Sequence, residues 1–175
     1  MLKKYIIASI LIVSYLISCN IIYSHYSKQY KMTVNNDIKI SNVIDNDYLG
    51  YIDIPKINLK KNLFKINSKK NNIEYNVEVL KESIFPNENN SIIFLAAHSG
   101  NGDNAYFNDL KLLTEGDIVL LSYNNTIYKY IITSKKEVLK NGYITGNRSN
   151  SDEIVLTTCS DSLGKQLIIN GILKK

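Results

Sequence analysis

The 175-residue chain carries two cysteines, two histidines and one arginine, Arg148, among its 21 basic residues. Cys19 and Cys159 lie too far apart to make a disulfide framework, and no Cys/His cluster has metal-ligand spacing. A net charge of +5 is modest, and the lysines are dispersed rather than gathered with interleaved aromatics, so no nucleic-acid partner is expected. Abundant lysine beside a single arginine reads as coding bias more than physical demand. The acidic residues are too scattered to define a calcium site, although Glu82 and Glu88 leave one open; no other cofactor is indicated. Internal repeats and low-complexity stretches are absent, which removes solenoid and disordered classes.

What is present begins with apolar character. Residues 5–24 contain no charge. Twenty helical residues span roughly 30 Å, the thickness of a bilayer core. The expectation is an uncleaved, single-pass N-terminal transmembrane helix at the cell membrane, with the remainder extracytoplasmic. The alternative is a lipobox, Leu16-Ile17-Ser18-Cys19, with Cys19 lipidated. Lys3 and Lys4 against Lys28 and Lys31 orient the helix only weakly. The organisation is therefore read as a membrane anchor at 1–25, a polar linker at 26–46 and a catalytic domain at 47–175.

From Tyr48 onward, short β-type runs alternate with Asn, Gly, Lys and Ser. Strands are expected at 50–54, 63–66, 75–80, 92–97, 117–123, 126–133, 137–139, 154–158 and 166–173. Asn124-Asn125 reads as a tight hairpin, because Asn tolerates positive φ. One helical stretch is expected at 105–113, with Tyr106, Leu110 and Leu113 on one side and Asp103-Asn104 as the cap. Many short strands and little helix argue for an all-β, closed or nearly closed barrel.

That domain has one histidine and one cysteine, each at the exit of an apolar run: His98 after residues 92–97, Cys159 after 154–158. A thiolate with an imidazole to pair with it or move a proton is the minimum for covalent acyl transfer. A buried structural cysteine and a solvated histidine are the alternative from spacing alone.

The segment "LTTC" at Leu156–Cys159 resembles the strand-ending T-L-x-T-C signature of the sortases, with Val155 where the first Thr often stands. "LAAHSGNGDNAYFNDLKLLTEGDIV" is similar to their histidine segment, and "LGYIDIPKINLKKNLF" to their opening strand. The likeness covers roughly residues 48 to 173. It implies an eight-stranded sortase-type β-barrel with short helices, of a compact class A- or D-like form, and cysteine transpeptidase chemistry. Cys159 would be the nucleophile and His98 the general acid and base. The implied partners are surface proteins bearing an LPxTG-like sorting signal, with an amine of peptidoglycan precursor or pilin as acceptor. Thr158 would shape the groove or donate near the oxyanion, or simply be a β-branched strand residue. The family's arginine position falls on Gln166, with Lys165 beside it pointing elsewhere and Arg148 in a loop upstream. That departure leaves a second reading, a catalytically impaired sortase-fold module that binds sorting signals or envelope components without turnover.

Overall fold

A computed structural model describes residues 47–144, 146 and 151–174. The apolar segment, Cys19 and the linker, as well as Arg148, lie outside the described residues. Among the described residues no helix is long and apolar enough to cross a membrane.

Eight strands form one sheet: β1 (Tyr48–Ile54), β2 (Leu59–Phe64), β3 (Glu78–Val79), β4 (Ile92–Ala96), β5 (Ile118–Tyr123), β6 (Thr126–Leu139), β7 (Glu153–Cys159) and β8 (Lys165–Leu173). Their order is β2-β1-β5-β6-β8-β7-β4-β3, antiparallel throughout except for the parallel pair β4–β7. The two edge strands approach one another, and Asn76 Nδ2 donates to the Asn62 carbonyl at 2.9 Å across that seam. The sheet is thus a nearly closed barrel, and the expected architecture holds.

The barrel is filled by a core that includes Ile52, Ile54, Leu95, Leu110, Tyr130, Ile154 and Leu156. A second, smaller cluster lies on the other face of the sheet: Phe94, Val155 and Ile168, flanked by Leu80, Ile92, Val138 and Ile144. This explains why β4 and β7 are continuous apolar runs rather than alternating ones. Both faces are covered, as for most parallel strands. Residues 153–158 of β7 are all buried, and only Cys159 emerges.

Local chemistry sets the turns. Asn124 and Asn125 both take positive φ (48° and 61°), the conformation of a two-residue hairpin turn. Gly50 sits where β1 crosses β5, and a Cβ there would collide with the Ser122 carbonyl. Asp117 Oδ2 accepts from the Thr114 N–H (2.7 Å), the Thr114 hydroxyl (3.1 Å) and Lys56 Nζ (2.7 Å), closing the turn into β5.

Three expectations are corrected. The separate strands at 126–133 and 137–139 are one strand, β6, which continues past a bulge between Ile132 and Ser134 by pairing with β8. The strand expected at 75–80 shrinks to Glu78–Val79. Residues 72–76 instead turn around Asn72, whose side-chain oxygen accepts the Glu74 N–H at 2.9 Å, while its carbonyl accepts from Asn76. The expected helix at 105–113 is a 3-10 turn at Asn108–Leu112, preceded by Phe107 and lacking a side-chain cap; Asn104 is occupied elsewhere. Leu110 and Leu113 still face the core, because i, i+3 spacing serves a 3-10 turn as well.

Candidate active site

The register of the parallel pair decides where the two reactive groups stand. Ala96 lies opposite Thr157, so two residues further on His98 comes beside Cys159. Hydrogen bonds extend that register past the last strand residue. Ala97 N–H donates to the Thr157 carbonyl (3.3 Å), the Thr158 hydroxyl to the Ala97 carbonyl (2.8 Å), and the Ser99 hydroxyl to the Cys159 carbonyl (2.8 Å). Phe107 N–H donates to the His98 carbonyl at 2.9 Å and holds the loop down. Neighbouring strands lie about 4.8 Å apart and side chains alternate between faces. Continued past the strand ends, that alternation sets His98 and Cys159 toward the face of Phe94 and Val155. About sixty residues of chain separate them, and one strand pairing brings them together.

Gln166 completes the row. It is registered opposite Cys159 and shares the face of Ile168 and Asn170. It is buried, and its Nε2 donates to the Tyr143 carbonyl at 3.0 Å. Lys165 points away, with its ammonium 3.9 Å from Glu137 Oε2. Thr158, expected to shape the groove, to donate near the oxyanion or to be a β-branched strand residue, lines the cavity beside Cys159. Its side chain is buried and its hydroxyl is committed to the Ala97 carbonyl, so it ties β7 to β4.

Two charged residues at the site have no counterpart among the sequence candidates. Glu74 Oε1 lies 3.1 Å from His98 Nε2. Glu74 is itself held by Asn72 and by Asn104, whose Nδ2 donates to the Glu74 carbonyl at 3.1 Å. The loop that follows His98 therefore fixes the residue that partners it. On the other flank, Lys140 Nζ lies 3.4 Å from the Cys159 sulfur. The only signal that could have marked Glu74 is the Asn72-x-Glu74 turn spacing, and nothing local marks Lys140.

A cavity of about 310 Å³ opens on the other side of Cys159, against the inward-facing Thr158 and Leu167. Its rim is polar: Lys111 pairs with Asp161 at 3.0 Å, and Glu137 accepts from the Ser160 and Ser162 hydroxyls. These contacts fix the β7–β8 loop. Among the described residues no group of three or more His, Cys, Asp or Glu side chains is placed to hold a metal ion.

The sortase domain profile matches residues 52–173, from β1 to the last residue of β8. The chain belongs to the sortase family. Members of that family are cysteine transpeptidases, and the face carrying Cys159 and His98 lies within the matched span. The fold is similar to that of sortase C1 from Streptococcus agalactiae, with a TM-score of 0.64, 25% identity, and 76% of this chain covering 70% of that one. Sortase C from Clostridium perfringens gives 0.59 at 26% identity, with 77% and 73% covered. A lid mutant of sortase A from Corynebacterium diphtheriae gives 0.64 at 20% identity, with 73% and 70% covered, a likeness of fold alone. These sortases are C- and A-type, so the likeness is to the shared barrel. None of the curated proteins matches the chain.

Proposed function

We propose that this sortase is a membrane-anchored transpeptidase that cleaves an LPxTG-like sorting signal through a thioacyl enzyme. The acyl group then passes to an amine of cell-wall precursor or pilin. The observation that supports the reading is the β4–β7 register, continued by the Ser99 hydroxyl on the Cys159 carbonyl, which brings the strand ends before His98 and at Cys159 together. The buried cluster of Phe94, Val155 and Ile168 supports the strand ends that carry the pair. Residues 5–24 would supply the anchor, 26–46 the tether, and the barrel would work outside the membrane.

In this mechanism the Cys159 thiolate attacks the scissile carbonyl, the C–S bond forms and the carbonyl π pair moves to oxygen. Collapse breaks the C–N bond, and the departing nitrogen takes its proton from the His98 imidazolium. Glu74 stabilises that imidazolium at Nε2, which leaves Nδ1 to exchange the proton with substrate. The incoming amine then attacks the thioester, returns a proton to His98 and expels the thiolate.

Gln166 at the family's arginine position favours a second reading, peptide binding without turnover. A neutral amide with one N–H engaged by Tyr143 gives little help to a developing oxyanion. One experiment separates the two. The full chain in detergent is incubated with a degenerate sorting-signal pentapeptide library, and intact mass is recorded. A thioacyl adduct lost in Cys159→Ala supports transpeptidation. Retained binding with no adduct supports the binding module instead.

A further inference from the structure

We propose that Lys140 is a catalytic residue of this site, carrying beside the Cys159 sulfur the positive charge that Gln166 does not supply. The inference rests on the transpeptidase reading and adds a component to the same site. Lys140 is the first residue after β6. Its N–H donates to the Gly164 carbonyl at 2.9 Å, and Leu139 before it is registered with Lys165. The backbone is thereby pinned to the turn that follows the nucleophile. Val138 lies opposite Gln166, and Gln166 opposite Cys159. A side chain two residues beyond Val138 lies on that face. From there the flexible lysine stem brings Nζ to 3.4 Å from the sulfur. The next turn is braced by the Asn141 N–H on the Leu139 carbonyl (3.0 Å) and by the Tyr143 N–H on Asn141 Oδ1 (3.1 Å).

Neighbouring lysines are directed elsewhere. Lys111 pairs with Asp161, Lys135 donates to the Lys111 carbonyl at 2.8 Å, and Lys165 faces Glu137. Among the described residues, the ammonium of Lys140 is a cation within hydrogen-bonding distance of the reacting atom. It opposes the thiolate before attack. It would also lie near the oxyanion, which forms on the oxygen of the carbon newly bonded to that sulfur. When the acceptor amine breaks the C–S bond, the departing electron pair returns to a sulfur facing the same charge. His98 moves the protons and Lys140 moves none.

The arrangement resembles an oxyanion donor, whose removal typically costs about 10²–10³ in rate. Exposure to solvent weakens such a charge, so an effect of about tenfold is expected. The test uses the full chain in detergent, with Cys19→Ser so that Cys159 alone reacts. The rate constant for alkylation by iodoacetamide at pH 7 is measured for Lys140→Met, Lys140→Arg and the remote Lys69→Met. Alkylation falls about tenfold in Lys140→Met, returns to within about twofold in Lys140→Arg, and is unchanged in Lys69→Met. With sorting-signal peptide, kcat falls in Lys140→Met while KM holds. Equal alkylation in Lys140→Met and the parent protein overturns the proposal, as does an equal loss in Lys69→Met. If the parent protein never turns over peptide, the transpeptidase reading fails, and the alkylation comparison still decides Lys140.

Discussion

His98, Cys159 and Gln166 leave adjacent strands of the sheet, whereas Glu74 and Lys140 reach the same face from turns on either flank. The first group is aimed by backbone pairing. Its members stand over packed apolar residues, and their relative positions follow from register alone. The second group is aimed by local side-chain bonds: an Asx turn at Asn72, an amide from Asn104, and a braced turn at Asn141. In this sortase rigidity is supplied to the groups proposed to make and break bonds. The charges that tune them come from more exposed, more replaceable segments.

The comparison breaks first at the sheet. His98→Ala is expected to slow thioacyl formation by about 10²–10⁴ with the melting curve retained, measured by single-turnover mass spectrometry. Leu156→Ala removes a fully buried side chain of the barrel core, and a loss of about 2–5 kcal/mol is expected in denaturant titration. Asn71→Ala tests whether a turn residue can matter as much as a strand. Its amide accepts the Val79 N–H (2.7 Å) and donates to the Val79 carbonyl (2.9 Å), standing in for a missing strand partner. Leaving both groups unpaired is expected to cost about 2 kcal/mol.

Smaller effects sharpen the contrast. Burial alone would raise the Asp117 carboxyl, but hydrogen bonds from Lys56 and Thr114 outweigh it and hold it below the usual carboxylate range. Its contribution is therefore present above the unfolded-state value and lost as pH falls through the folded one. Asp117→Asn is expected to lower the melting temperature slightly at neutral pH and to leave it unchanged at low pH, read from melting curves across pH. Glu74→Gln comes last. Its carboxylate is exposed, so removing the charge is expected to lower kcat/KM only about two- to fivefold, with Glu74→Asp recovering part of it.

Much of the sheet was readable beforehand because β4, β7 and β8 are apolar runs closed by polar residues, and Asn124-Asn125 has one good backbone solution. Cys159 and His98 were readable because each ends such a run. The errors have a common cause. Ser134-Lys135-Lys136 looked like a gap since it is polar, yet those residues pair with β8, with only part of the strand packed on the core. Residues 75–77 looked like strand because Asn72 competes for the backbone in a way that propensity does not register. Glu74 and Lys140 resemble ordinary surface charges until tertiary pairing brings each beside its partner.

The lone parallel pairing has a consequence for the life of the chain. Strands β5 and β6 intervene between β4 and β7, so nearly the whole barrel must be synthesised and threaded before imidazole and sulfur can meet. A polypeptide whose barrel is incomplete holds the thiol without the histidine strand beside it. The proposed reactive pair is then assembled in a single late event, the completion of tertiary structure.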